Sequence, residues 1–204
     1  EMMKWFDHHV KRKDRGVKSG NLIRAFRIEG GNGVKNAAGN LQAGGTWQEF
    51  TEWPPTDSRP VSYYLSADRS LTTTAPLEGA FTYSHDPANP VPTLGGRVSS
   101  GLPVQAGPQD QRCRVELPHC DDNQPLRLRP DVLVFETPGL ERDLEVSGPV
   151  VARVWVSSSA VDTDFVVKLI DQYPPSPDYP EGYAMSVAEG IVRARFRSFE
   201  QTDS

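Results

Sequence analysis

Little in this chain is basic, and nothing in it stays apolar for long. Lysine and arginine number 22 against 27 aspartates and glutamates, a net charge of -5. That balance argues against nucleic acid, a partner held mainly by cations set against phosphates. No apolar run reaches the roughly 20 residues that a helix needs to cross a bilayer, so no membrane partner is expected. The N-terminus has no charged-then-apolar leader; Glu1 stands where an initiator methionine belongs, and the natural start is expected upstream. No serine occupies the G-x-S-x-G turn that lifts a nucleophile off the end of a strand. Ser19 comes nearest, in Gly16-Val17-Lys18-Ser19-Gly20, but its first glycine is one residue too far away, and a turn after a helix accounts for it. Internal repeats and low-complexity segments are missing as well.

What the chain has in quantity is proline and glycine, 18 and 17 residues respectively and well spread, which favours a loop-rich β protein over a helical bundle. The one helical signal lies at the start. Met2, Trp5, Phe6 and either His9 or Val10 recur at three- and four-residue spacing, so residues 1–13 are expected to form a helix with one buried stripe, His9 packed and His8 exposed. The cations from Lys4 to Lys18 suit the solvated end of that helix. Residues 22–28 are bounded by Gly20-Asn21 and by Glu29-Gly30-Gly31-Asn32-Gly33 and are expected as a strand. Residues 30–46 hold six glycines and three asparagines, the composition of a flexible loop. Trp47 and Trp53-Pro54-Pro55 close it, and a domain boundary is placed here.

From Val61 onward the pattern is all β. Residues 61–65, 81–83, 132–135, 150–156, 165–170 and 191–196 are short runs of Val, Ile, Phe and Tyr between Pro, Gly and Asp clusters. Val150, Ala152, Val154 and Val156 alternate with Arg153, and Val192, Ala194 and Phe196 alternate with Arg193, Arg195 and Arg197, as in antiparallel sheets with one dry face. Strands without intervening helices call for a sandwich or jelly roll.

Few residues offer chemistry. His8 and His9 are neighbours on a helix and cannot face one metal as an i, i+4 pair does; His85 precedes a turn and His119 adjoins Cys120. Cys113 and Cys120 leave three readings open: a disulfide in an oxidising compartment, two free thiols in a cytosolic protein, or a Cys-His-Cys metal site completed by Asp121 or Asp122. Free thiols are preferred, as is a cytoplasmic setting over a secreted one. Asp162-Thr163-Asp164 offers half of a cation site, but calcium needs six or more oxygens, and a turn into the following strand is the default. Residues 171–183, rich in proline and tyrosine, form an expected hairpin loop in which aromatic rings stack on a sugar or peptide or pack over the loop itself. No metal or cofactor is assigned.

Several segments, in order, carry a resemblance. Asp86-Pro87-Ala88-Asn89-Pro90-Val91-Pro92-Thr93-Leu94-Gly95-Gly96, Gly107-Pro108-Gln109-Asp110-Gln111-Arg112, Arg129-Pro130-Asp131-Val132 and Ser157 to Asp171 resemble the C-terminal jelly roll of the X-prolyl dipeptidyl peptidase and cocaine-esterase family of serine hydrolases. Residues 2–11 are similar to the last helix of that family's α/β-hydrolase domain, and residues 22–28 to its final strand. The resemblance implies a mainly β fold: a galactose-binding-like jelly-roll sandwich preceded by a terminal helix and strand of an α/β-hydrolase domain. Residues 1–45 would be the hydrolase remnant and linker, and 46–204 the jelly roll, incomplete at its C-terminus.

It also implies that the catalytic serine, histidine and carboxylate lie upstream, so no catalytic residue is assigned here. The expected function is the C-terminal portion of a serine acyl hydrolase acting on a small ester, amide or peptide, with its N-terminal hydrolase domain as partner. The family's loop after Gly95-Gly96 reaches the cleft. Its positions here are Arg97, Val98, Ser99 and Ser100, of which Val98, Ser99 and Ser100 are the candidate substrate-pocket residues. The alternative is a non-catalytic β-sandwich that binds carbohydrate or protein through Trp47, Trp53, Tyr173, Tyr179 or Tyr183. That alternative calls for an exposed planar row of rings, whereas the hydrolase reading calls for Trp47 and Trp53 to be buried. A domain that drives homo-oligomerisation is the third possibility.

Overall fold

The computed structural model describes residues 2–16, 23–37, 39–96, 101, 107–120 and 122–196. The chain is mainly β; the described residues hold one α-helix, α1 (Met2–His9), then strands β1 (Ile23–Lys35), β2 (Leu41–Phe50), β3 (Tyr64–Leu65), β4 (Leu71–Thr72), β5 (Asp164–Tyr173) and β6 (Tyr183–Arg193). The strands pair as β1–β2, β3–β4 and β5–β6, three two-stranded sheets that do not close on one another. No helix among the described residues is long and apolar enough to cross a membrane.

Two compact units divide the chain, residues 1–30, 43–60 and 145–149 in one and residues 31–42, 61–144 and 150–204 in the other. In the first, α1 ends four residues earlier than its periodicity predicts. Arg12 takes a left-handed φ of 50° and the Lys13 N–H turns back to the Asp7 carbonyl at 3.0 Å. The apolar stripe is uncovered, with Met2 74% and Val10 69% exposed. The histidines also reverse their expected places. His8 is half-buried with its Nδ1 unpartnered, whereas His9 is exposed and lies against the Trp5 ring at 4.5 Å.

The glycine-rich segment is a hairpin rather than the expected loop, with both arms paired as strands. Glycine serves here because large side chains lie across the backbone. A Cβ on Gly31 would meet Leu41 Cδ2 at 2.8 Å, and one on Gly45 would meet Phe26 Cζ at 2.4 Å, the close approach that favours glycine inside a strand. The turn is closed by Asn36: its carbonyl accepts from Gly39 N–H at 2.9 Å and its Oδ1 from Asn40 N–H at 3.1 Å.

The second unit is built on β5–β6, whose loop over residues 174–182 matches the predicted hairpin. The far half of the glycine hairpin lies on that loop, Ser176 Oγ donating to the Gly33 carbonyl at 2.6 Å and Lys35 N–H to Asp178 Oδ2 at 2.8 Å. Asp162 holds the opposite end, receiving the Arg193 Nε at 2.8 Å and the Arg195 Nε at 2.7 Å. The Arg193 hydrogen bond leads in holding the Asp162 carboxyl down at about 2. This is a clasp between two arginines, in which Asp162 is engaged by cationic side chains.

Two apolar clusters form the core of this unit. Leu94, Cys113, Leu117, Cys120 and Leu126 make one and Leu41, Tyr183 and Met185 the other. Three expected strands have no ladder. Residues 81–83 and 132–135 pack through Phe81 and Phe135, edge to face at 5.4 Å. Residues 150–156 expose their valines, and Trp155 is 102% exposed. The dry face predicted for that alternating run is wet, because strand propensity records a liking for a half-buried surface and cannot supply the neighbouring strand. Residues 191–196 are strand only to Arg193, then turn into a short 3₁₀ helix over Ala194–Phe196.

Candidate functional site

The segment Gly107-Pro108-Gln109-Asp110-Gln111-Arg112 runs antiparallel beside β6. Asp110 lies opposite Met185, the Gln111 N–H donates to the Ala184 carbonyl at 2.9 Å, and the Ser186 N–H to the Gln109 carbonyl at 3.2 Å. The segment therefore acts as a short third strand, fixed by main-chain bonds, and its first residue is one foot of a loop. The other foot is Gly96. The two glycines exchange N–H···O=C bonds of 2.9 and 3.0 Å, closing a neck between the segments that end at Gly96 and begin at Gly107.

Glycine is required at this neck. Gly95 and Gly96 have φ of 74° and 68°, a region that side chains with a Cβ enter at a cost. A Cβ on Gly95 would lie 2.4 Å from the Gly107 carbonyl oxygen, and one on Gly96 1.9 Å from Glu189 Oε1. The Glu189 carboxylate thus rests against the neck. Directly across the β5–β6 ladder stands Lys168, whose Nζ is 3.9 Å from Glu189 Oε2. Burial pushes the Lys168 ammonium below its ordinary value, and Glu189 opposes that shift. Lys168 also donates to Gln111 Oε1 at 2.7 Å, and Gln111 Nε2 reaches the carbonyls of Leu94 at 2.9 Å and Gln109 at 3.0 Å.

Val98, Ser99 and Ser100, with Arg97, lie outside the described residues; their anchors Gly96 and Gly107 lie within them. Sequence reasoning missed Gln111, Lys168 and Glu189. The available signals were a lysine inside the apolar run Phe165-Val166-Val167-Lys168-Leu169-Ile170 and a second glutamine inside the 107–112 motif.

Beside the neck, a cavity of about 150 Å³ is lined by Asp110, Arg112, Arg114, Tyr179 and Tyr183 among others. Burial raises the Asp110 carboxyl above 3.8, although its Oδ1 accepts the Ala184 N–H at 3.0 Å. A raised acid group favours folding most fully below its unfolded value and loses that contribution as pH rises through its folded value. Asp110→Asn keeps the acceptor and removes the buried charge. Its melting temperature is expected to exceed the parent's at pH 7 and to converge with it as pH falls below the ordinary aspartate value. A lower melting temperature at pH 7 would show that the charge is needed.

The remaining candidates are used structurally. Cys113 and Cys120 are joined as a disulfide with Cα atoms 5.0 Å apart, so the preferred reading of free thiols is corrected, and no thiolate is left for a metal. Both sulfurs lie in the Leu94 cluster, which places them within bonding reach. No cluster of three or more metal-ligating side chains occurs among the described residues. A larger cavity of about 470 Å³ contains His119, Asp122, Arg129 and Asp131. Arg129 is occupied there by both oxygens of Asp131 at 2.8 Å and by the Asn89 carbonyl at 2.7 Å.

The tyrosines form no binding platform. Tyr183 is buried, and Tyr173 and Tyr179 meet it edge to face at 81° and 75°, so the rings pack over their own loop. Trp47 and Trp53 are 55% and 46% exposed rather than buried, each edge to face with a phenylalanine.

The described residues thus form a mainly β module in which the 107–112 segment is bonded to β6 and Gly107 to Gly96. The chain belongs to the family described as the X-Pro dipeptidyl-peptidase C-terminal non-catalytic domain, which it matches over residues 20–203. It is 38% identical over 163 residues to the cocaine esterase of Rhodococcus sp. (strain MB1 Bresler), covering 74% of this chain and 25% of that enzyme. It is 30% identical over 199 residues to proteins of Mycobacterium bovis and Mycobacterium tuberculosis provisionally named serine esterases, covering 97% of this chain and 26% of each. The chain thus spans about a quarter of the length of these relatives. No solved structure matches it.

Proposed function

We propose that this chain is the C-terminal portion of a serine acyl hydrolase, of ester, amide or X-Pro dipeptidyl-peptidase type. Residues 1–45 are the end of an α/β-hydrolase domain, with the join inside β2, and residues 46–204 are a jelly roll that shapes the substrate cleft and supports assembly. The partner is the hydrolase domain of the same enzyme. That domain supplies the serine nucleophile, the histidine base, the carboxylate that orients it and the donors for the tetrahedral oxyanion. The observation that carries this reading is the neck. Gly96 and Gly107 are joined by two main-chain bonds, so the two anchors of the segment between them are fixed, as a segment that contacts an acyl group needs.

Val98, Ser99 and Ser100 line the acyl pocket in this proposal and favour an acyl group smaller or more polar than benzoyl. One missing apolar contact shifts discrimination by about 1 to 3 kcal/mol. Ser99→Leu with Ser100→Phe in the full-length enzyme is expected to raise kcat/KM for benzoyl over acetyl esters by about tenfold or more. An unchanged ratio removes the loop from the pocket. The 204-residue chain alone is expected to give no ester turnover that a serine-directed phosphonate abolishes.

A further inference from the structure

We propose that Gln111 is the positioning residue of the Gly96–Gly107 neck, its one carboxamide tying together the segment that enters the neck and the segment that leaves it. The proposal rests on the reading that the residues between these two glycines meet the substrate, and it adds the device that holds their two anchors together.

A carboxamide has two N–H donors and one strongly accepting oxygen. Both functions of Gln111 are used, and on different parts of the neck. Its Nε2 donates to Leu94, two residues before the Gly96 foot, and to Gln109, two residues after the Gly107 foot. Its Oε1 accepts from Lys168 on β5. The orientation is unique: carbonyls only accept and an ammonium only donates, so a flipped amide would set oxygen against two carbonyls and N–H against a cation. Gln111 is 6% exposed, so water cannot readily replace these partners and losing them leaves buried polar groups unsatisfied.

The clamp continues beyond Gln111. Lys168 faces Glu189 across the ladder, and the Glu189 carboxylate rests against Gly96. Lys168 thereby links the amide that spans the two arms to the side chain that lies against Gly96. A residue with only a packing role would need none of these three directional bonds.

The experiment uses the full-length enzyme with Gln111→Met and Gln111→Glu, and with Lys168→Met and Lys168→Arg. Methionine keeps the volume and removes all three bonds. Glutamate keeps the acceptor for Lys168 and loses both bonds to the carbonyls. Amide hydrogen exchange is followed at Gly96 and Gly107 and, as a reference, at Val167 and Gly190 in the β5–β6 ladder. Selectivity is followed as kcat/KM for p-nitrophenyl acetate against p-nitrophenyl benzoate.

Both Gln111 variants are expected to speed exchange at the two glycines by about tenfold or more while the reference amides keep their rates. They are also expected to change the ester ratio severalfold, mainly through KM. Lys168→Met should reproduce part of the effect and Lys168→Arg should restore the parent's behaviour. Faster exchange at the neck with an unchanged ester ratio supports the clamp and overturns the substrate role of the loop. Unchanged exchange at Gly96 and Gly107, or equal acceleration at all four positions, overturns the clamp itself.

Discussion

Gly95→Ala is expected to destabilise the chain by about 3 kcal/mol or more, and Gly96→Ala by about 1 to 2 kcal/mol, although the two glycines are adjacent and share a left-handed backbone. The difference lies in what each new methyl group meets. At Gly95 it meets the Gly107 carbonyl oxygen at 2.4 Å, a main-chain atom that cannot move without breaking the neck. At Gly96 it meets the end of the Glu189 side chain, a flexible group that can swing away, giving up its approach to Lys168. Adding Glu189→Ala should therefore recover much of the loss in Gly96→Ala and none of that in Gly95→Ala. Urea unfolding of the four variants measures this. Equal losses at the two glycines, or rescue of both, would refute the geometric account.

Replacing Cys113 and Cys120 together by alanine is expected to cost about 2.5 kcal/mol, the loop-closure entropy of so short a ring. Their sequence separation is seven residues. The half-cystines are 4% and 2% exposed, enclosed by Leu94, Leu117 and Leu126. Reductant should therefore reach the sulfurs only when the cluster opens. The rate of thiol release should follow the rate of unfolding as urea is added, and rapid release from the native protein in water would count against this burial. Leu94 also precedes the neck by one residue, so the alanine pair should loosen the Gly96 amide more than amides at the far end of β5.

How far the structure was legible depended on whether a segment carried its own partner. The β5–β6 hairpin did: its two branched-chain runs are joined by a proline- and tyrosine-rich turn, and each arm is the other's ladder. The mainly β character followed in the same way. The segment at residues 30–46 did not, because a run of glycines becomes a strand only when Leu41 and Phe26 lie across it, and those contacts come from the opposite arm. The reverse error occurred at residues 150–156, where ideal alternation has no neighbouring strand among the described residues. The cysteines left three readings because spacing alone does not bring two Cα atoms to 5.0 Å. The clamp was missed for a related reason: each residue is locally out of place, but Gln111 and Lys168 are 57 residues apart in sequence, and nothing local says that they meet.

The break in register in β6 has a consequence of its own. Leu169 pairs with Ala188 but Ile170 with Ser186, so Val187 is an inserted residue. On the Ser186 side of the break, Tyr183 and Met185 point to one face; beyond it, Glu189 falls with Lys168 on the other. A regular strand would set Glu189 in line with Met185. One surplus residue thus divides the strand into a half that serves the interior and a half that serves the loop. Substitutions can accumulate in one half without touching the other, while loss of the single residue 187 would exchange the duties of everything beyond it.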